Sequence, residues 1–234
     1  MVIDPATPLG EIVRDQPPAA ALFERLGIDY CCGGRRTLTD ACVQCGLDPA
    51  TVATLLDALR RDGGDDRLRE AHDVARASIA DLCEHIVTRH HGPSHPAMDR
   101  ITQLLATVVR VHVKDHPELF DLQRLFASTR SDLEAHMRIE ETALFPACQS
   151  LEAGRDDAFD KDLLALLEDE HTMTGEALCA LRELAGGFDA GRAFCSTHKR
   201  TLKELRAFEV DLHQHIHEEN NILFPRVRAM LAAA

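Results

Sequence analysis

The chain has 234 residues, and its composition excludes several classes of protein before any motif is considered. The 39 acidic residues outnumber the 26 basic ones, and the formal net charge of -13 argues against nucleic acid or an anionic membrane surface as a partner. No apolar run approaches the roughly 20 residues that span a bilayer, and the first residues do not resemble a signal peptide. We therefore expect a cytoplasmic protein whose eight cysteines are mostly reduced.

The first part of the chain, residues 1–62, is predicted to be a small helical domain. Its apolar residues recur at helical spacing in three or four short stretches. Pro17 and Pro18 suit the start of one helix and Gly27 its end. The polar, glycine-containing sequence of residues 62–70 indicates a boundary, so residues 71–234 form a second domain.

The N-terminal segment carries adjacent thiols in the sequence Tyr30-Cys31-Cys32-Gly33-Gly34. Two glycines allow positive φ angles, and we expect a turn that exposes the sulfurs. Cys31 and Cys32 could then exchange electrons, hold a metal or be transiently oxidised. The alternative is that they pack as small apolar side chains, but we favour a catalytic role for the pair.

Four long helical stretches are predicted after the boundary, and they define an all-α fold built around a four-helix bundle. They cover residues 75–91 continuing over 96–114, then 117–150, 158–186 and 196–231.

One pattern of residues occurs twice within these helices. His136 and Glu140 recur as His215 and Glu219, each pair leading into Leu-Phe-Pro, and a lone histidine precedes each pair at nearly the same distance. A histidine and a glutamate four positions apart lie on one helical face, so each pair can supply two metal ligands. The lone histidines are His171 and, in the first helix, His91 or His90, because the apolar stripe leads equally well to either.

Burial of four imidazoles and two carboxylates close together is costly unless a cation lies between them. This mixed nitrogen and oxygen set suits a pair of non-haem iron ions bridged by Glu140 and Glu219, although zinc and manganese also accept such ligands. A single histidine on an apolar stripe is more often an ordinary core residue, but the doubled pattern favours a metal site. The histidines expected on solvated faces are His72, His85, His95, His116, His198, His213 and His217, and His90 and His112 remain open.

Together these motifs resemble the RIC family, the di-iron proteins for repair of iron centres, also called ScdA-type iron-sulfur cluster repair proteins. The resemblance covers nearly the whole chain, including the thiol sequence and a hemerythrin-like four-helix bundle. Its marks in the bundle are His90-His91, His136-x3-Glu140, Glu170-His171 and His215-x3-Glu219-Asn220-Asn221, with Leu144-Phe145-Pro146 and Leu223-Phe224-Pro225.

The resemblance implies an oxo- or hydroxo-bridged pair of non-haem iron ions. The implied ligands are His91, His136, His171 and His215, with Glu140 and Glu219 bridging. By analogy with hemerythrin-like sites, His91 and His136 would share one iron, and His171 and His215 the other.

The family restores iron-sulfur clusters damaged by nitric oxide or peroxide, so the resemblance implies a role in the stress response. It implicates the N-terminal Cys31 and Cys32 in that repair. The expected partners are damaged iron-sulfur proteins and nitric oxide or oxygen as small ligands, and a homodimer is possible. Nitric oxide reduction at the iron pair, and carriage or sensing of oxygen or nitric oxide, are the competing functions. The fused thiol-containing segment argues against simple carriage.

Two features depart from the family pattern. Gly92, Pro93 and Pro96 follow His91, and because proline removes an amide donor we expect a kink in the helix there. Such a kink could shift the first ligand to His90 or His95. The second departure is Cys42-x2-Cys45, an extra thiol pair that fits either an accessory site or one face of a short helix.

Overall fold

A computed structural model describes residues 3–62, 74–155 and 159–233. Apart from turns and one antiparallel bridge between Pro8 and Thr37, the regular structure in these ranges is helical, so the predicted all-α class is confirmed. None of the helices in the described ranges is both long and apolar enough to cross a membrane. The predicted boundary at residues 62–70 falls mostly outside the described residues and stays a prediction.

Four short helices form the N-terminal segment, namely α1 (Leu9–Asp15), α2 (Pro18–Leu26), α3 (Leu38–Gln44) and α4 (Pro49–Asp62). Helix α2 begins at Pro18, and Gly27 follows its last residue with a left-handed φ of 69°. Both features agree with the prediction from the sequence. Thr37 caps α3 by accepting a hydrogen bond from the amide of Asp40 at 3.1 Å.

The later helices are α5 (Ile79–Ile86), α6 (Gly92–His112), α7 (Glu118–Ile139), α8 (Phe145–Glu152), α9 (Lys161–Leu184), α10 (Ser196–Glu218) and α11 (Phe224–Ala233). Asp160 caps α9, accepting hydrogen bonds from the amides of Asp162 at 2.9 Å and Leu163 at 3.2 Å. These bounds follow the predicted helical stretches closely.

Three π-helical turns join successive helices without a break: π1 (Val87–His91), π2 (Glu140–Leu144) and π3 (Glu219–Leu223). The residue after each turn donates its amide hydrogen to the carbonyl of the first residue of the turn. A proline follows at once in each case, and these prolines are Pro93, Pro146 and Pro225. The wider turn interrupts the α-helical hydrogen-bond ladder where proline cannot donate. The helix therefore continues past His91, and the irregularity expected near Pro93 takes the form of the π-helical turn Val87–His91.

The chain divides into two compact units, which we describe separately. The N-terminal unit contains residues 1–85, 148–157 and 213–234, and the bundle unit contains residues 86–147 and 158–212. The last division falls inside the continuous helix α10.

The bundle unit contains four long helical segments: α6, α7, α9 and the part of α10 that ends at residue 212. Helix α7 packs against both α6 and α9. Phe126 of α7 meets Phe208 of α10 edge to face, with 5.8 Å between ring centroids. Arg182 of α9 donates a hydrogen bond at 2.8 Å to Glu209 of α10, whose carboxylate is buried. The aromatic pair and this ion pair tie α10 to two neighbours.

The N-terminal unit has its own core, in which Leu9, Phe23, Leu38 and Leu56 are fully buried. The buried Gln16 amide donates a hydrogen bond to the carbonyl of Leu56 at 2.7 Å and connects the end of α1 to α4. Within the same unit, π3 packs against α1.

Removal of the Phe126 ring should destabilise the bundle unit much more than removal of an exposed ring on the same helix. We expect Phe126→Ala to lower the free energy of unfolding by about 3–5 kcal/mol because it leaves a cavity beside Phe208. Phe120, which is 57% exposed on α7, is the matched control, and Phe120→Ala should change stability by about 0.5 kcal/mol or less. Urea unfolding followed by circular dichroism measures both, and equal losses would contradict the packing described here.

Candidate metal centre

Glu140 occupies the centre of a buried polar cluster in the bundle unit. Its side chain is fully buried, and its two carboxylate oxygens face different imidazoles. Oε1 lies 3.1 Å from Nε2 of His136 and 3.9 Å from Nε2 of His171. Oε2 lies 3.5 Å from Nε2 of His91. This arrangement suits a carboxylate that bridges two cations.

The nitrogens of His136 and His171 approach each other at 2.9 Å between their Nε2 atoms. Two neutral imidazoles cannot direct lone pairs at each other at this distance without repulsion, so a proton or a cation must lie between them. The ligand atoms of His136, Glu140 and His171 all lie within 4.8 Å of one another and could hold a metal ion. The predicted pairing of His91 with His136 is therefore wrong, since His136 groups with His171.

Two further carboxylates orient His91 and His136 by contacting their Nδ1 atoms. Glu141 Oε1 lies 2.7 Å from Nδ1 of His91, and Glu170 Oε2 lies 2.7 Å from Nδ1 of His136. A carboxylate at Nδ1 favours the tautomer that carries its proton there and leaves Nε2 free to bind a metal. Neither glutamate was predicted to have a role, although each adjoins a predicted ligand in the sequence, Glu141 next to Glu140 and Glu170 next to His171.

The three candidates for the first histidine differ in their surroundings. His91 is buried beside Glu140, and its ring stacks on Phe145 with 5.8 Å between centroids. His90 is also buried, but its Nδ1 faces Asp211 at 3.3 Å, and His95 is exposed. Among the three, the structure favours His91.

The second His-x3-Glu pair lies in the N-terminal unit and has the same local geometry as the first. His215 Nε2 is 3.2 Å from Glu219 Oε1, against 3.1 Å in the His136–Glu140 pair, and both side chains are buried. Glu140 and Glu219 are each the first residue of a π-helix. The sequence repeat is therefore also a structural repeat.

The adjacent thiols form a compact group with Asp29. The Sγ atoms of Cys31 and Cys32 are 3.7 Å apart, and Cys31 Sγ lies 3.4 Å from Asp29 Oδ1. The hydrogen bond to Cys32, together with burial, raises the pKa of the Cys31 thiol well above its usual value. Cys31 is buried and Cys32 partly exposed, so the predicted exposure of both sulfurs is wrong for Cys31.

Asn221 of π3 holds the thiol segment in place. Its amide nitrogen donates hydrogen bonds to the carbonyls of Tyr30 at 3.3 Å and Cys31 at 3.1 Å. A Cβ on Gly10 or Gly34 would approach the Asn221 Oδ1 atom to 2.5 Å or 2.0 Å. Close approach, rather than the predicted positive φ, is thus the reason for Gly34.

The prediction that seven further histidines lie on solvated faces is only partly right. His95 is exposed, His85, His116 and His213 are partly buried, and His72 lies outside the described residues. His198 and His217 are buried, which contradicts the prediction. Burial lowers the pKa of His217 to about 4, so its ring is neutral at pH 7.

The single tyrosine shares the surroundings of His217. The buried Tyr30 ring packs on His217 with 5.7 Å between centroids. His213 meets the same ring edge to face and pairs with Glu24 at 2.5 Å. These aromatic contacts could not be predicted from helical spacing because Tyr30 is distant from both histidines in the sequence.

Comparison with known proteins matches both parts of the chain. Residues 6–60 match the ScdA_N family, described as a domain of unknown function (DUF542), and residues 63–227 match the hemerythrin HHE cation binding domain.

Relatives align over nearly their whole length. The iron-sulfur cluster repair protein ScdA of Staphylococcus haemolyticus is 30% identical over 92% of this chain and 95% of its own. The iron-sulfur cluster repair protein YtfE is 31% identical in Edwardsiella ictaluri, over 94% of this chain and 95% of its own. The YtfE protein of Escherichia coli O81 is 29% identical over 95% of this chain and 96% of its own. The chain belongs to the ScdA/YtfE family of iron-sulfur cluster repair proteins, in which an ScdA_N domain precedes a hemerythrin HHE domain.

Loss of the negative charge on Glu141 or Glu170 should weaken cation binding without removing a ligand. We expect Glu141→Gln and Glu170→Gln each to lower affinity for ferrous iron by about 10–100-fold, because the imidazole loses its anionic partner. Glu134→Gln, which alters only the ion pair with Arg130 on α7, is the control and should retain wild-type affinity. Competition with a ferrous chelator measures all three, and unchanged affinity in both test variants would contradict the orienting role.

Proposed function

We propose that this protein repairs iron-sulfur clusters damaged by nitric oxide or peroxide, using non-haem iron held at its histidine and glutamate side chains. The observation that carries the proposal is the fully buried Glu140 carboxylate, whose two oxygens face different imidazoles. Family membership supports the same function, because the relatives that align along the whole chain are named iron-sulfur cluster repair proteins.

The proposed ligands of the iron pair are His91, His136, Glu140, His171, His215 and Glu219. The geometry within the bundle unit supports the first four, and the matching His215–Glu219 geometry supports the other two. Glu140 and Glu219 would bridge the ions. We group His136 with His171 at one oxygen of Glu140 and place His91 at the other. Burial of the Glu140 and Glu219 carboxylates without a cation would cost on the order of several kcal/mol.

The protein side chains have defined tasks in this proposal. Glu141 and Glu170 hold the Nδ1 protons of His91 and His136, so that each Nε2 atom is available to a cation. The Phe145 ring covers one face of His91 and limits access of water to it. When bound, the iron pair supplies a redox-active centre for diatomic ligands such as nitric oxide or oxygen.

The charge of the ligand set bears on the lability of the iron. Four neutral imidazoles and two carboxylates contribute only two negative charges, which leaves a pair of ferrous ions incompletely neutralised. Such a set holds iron less firmly than a carboxylate-rich set would, and this suits delivery of iron to a damaged cluster. The substrate partner in this proposal is a damaged iron-sulfur protein in the cytoplasm. Eight cysteines in a chain of 234 residues agree with a reducing compartment.

Removal of a bridging carboxylate should empty the centre. We expect Glu140→Leu and Glu219→Leu each to retain less than half of the wild-type iron, because a neutral side chain cannot replace a shared anionic ligand. Glu134→Leu on α7 is the control and should keep its iron. Metal analysis and Mössbauer spectroscopy of protein purified without oxygen, before and after nitric oxide, provide the measurement. Retention of both irons in both variants would exclude the bridging roles, and sustained nitrous oxide production by the wild type would favour reduction over repair.

The thiol pair should be needed for repair but not for the iron centre. We expect Cys31→Ser combined with Cys32→Ser to leave the Mössbauer spectrum unchanged and to abolish recovery of a cluster damaged by nitric oxide. The matched control combines Cys42→Ser with Cys45→Ser and should repair normally. Undiminished repair by the Cys31 and Cys32 variant would refute their role.

A further inference from the structure

Asp29, Cys31 and Cys32 place three potential metal ligands in one short segment of the N-terminal unit. One carboxylate oxygen and the two sulfurs lie within 4.8 Å of one another. We propose that these residues form a second metal site, with two sulfur donors and one oxygen donor, for a thiophilic divalent cation. The choice of ferrous iron as its natural cargo rests on the proposed repair function, but the existence of the site does not.

The distances within the group match the edges of a tetrahedral site. With metal–sulfur bonds of about 2.3 Å, two sulfurs of a tetrahedron lie about 3.8 Å apart, and a sulfur and an oxygen lie about 3.6 Å apart. The corresponding separations are 3.7 Å between the two Sγ atoms and 3.4 Å between Cys31 Sγ and Asp29 Oδ1. A cation could therefore bind with little movement of the sulfurs.

The group is held in position by contacts on both sides. Asp29 Oδ1 accepts a hydrogen bond from the amide of Cys32 at 3.0 Å, and Oδ2 pairs with Arg36 at 3.1 Å. The Arg36 guanidinium also donates to the Asp29 carbonyl at 3.2 Å. A Cβ on Gly33 would lie 1.9 Å from the Arg36 side chain, so a glycine is required for Arg36 to reach Asp29 in this way. Asn221 fixes the Cys31 carbonyl. Little conformational entropy is then lost when a cation binds.

The charges also balance. Two thiolates and one carboxylate carry three negative charges, which Arg36 and a divalent cation together neutralise. Each thiol releases its proton to solvent as its sulfur binds the metal, and no electron is transferred.

Three protein ligands leave one tetrahedral position open, as in sites that exchange a ligand rather than in closed structural sites. Cys32 is partly exposed and Asp29 exposed, so the group is accessible from solvent. Sulfur ligands favour ferrous iron, zinc and cobalt over magnesium or calcium. With iron as cargo, the open position would accept a thiolate of the damaged protein during transfer.

Cobalt(II) binding to the full-length protein tests this site, because cobalt bound to thiolate gives a sulfur-to-metal charge-transfer absorption in the near ultraviolet. Cobalt in the histidine and glutamate centre has no sulfur ligand and does not give this absorption. We expect the wild-type protein to show the band on titration without oxygen. The Cys31→Ser and Cys32→Ser variants should lose it, singly and together.

The remaining variants separate the site from other thiols and from the repair function. Asp29→Asn should weaken cobalt binding, because a neutral amide replaces an anionic ligand. The combined Cys42→Ser and Cys45→Ser control should keep the full band. Absence of the band in the wild type, or its persistence in the combined Cys31→Ser and Cys32→Ser variant, would overturn the second site. Neither result would refute the repair function, which the cluster-recovery assay tests separately. Circular dichroism would verify that each variant is folded.

Discussion

Buried carboxylates next to imidazoles are the central physical constraint in this molecule. Glu140 is fully buried, and so is Glu219. An ionised carboxylate transferred from water to a protein interior needs compensating charge or hydrogen bonds, and neutral imidazole nitrogens supply only part of it. Glu141 and Glu170, which are partly exposed, complete the pattern by fixing which nitrogen of His91 and His136 carries the proton. The buried glutamates thus explain both the choice of histidine at the facing positions and the acidic side chains behind them.

The π-helical turns explain how one helix can carry these glutamates and then a proline. Each of the three turns precedes a proline. In two of them the residue before the proline, Phe145 or Phe224, donates its amide hydrogen to the carbonyl of Glu140 or Glu219. The wider turn lets the helix continue and changes the direction of the side chains that follow. The Gly92-Pro93 sequence is therefore a third instance of the arrangement seen before Pro146 and Pro225.

Much of the fold could be predicted because helical periodicity is local. The His136–Glu140 and His215–Glu219 pairs follow from four-residue spacing on an apolar stripe, and Gly27 is a recognisable helix end. The pairing of His136 with His171 could not be predicted in this way, because it depends on how α7 and α9 pack. The roles of Glu170 and Gly34 were missed for the same reason: each depends on a residue distant in the sequence, His136 for the first and Asn221 for the second.

The fit of Asn221 against Gly10 and Gly34 limits how this chain can be recombined with its relatives. A larger residue could replace either glycine only if residue 221 had a shorter side chain or moved, because the added Cβ would overlap the Asn221 amide. A chimaera that takes residues 6–60 from one homologue and the remainder from another must therefore match three positions far apart in the gene. Compatibility at these three positions is a requirement that overall identity does not measure.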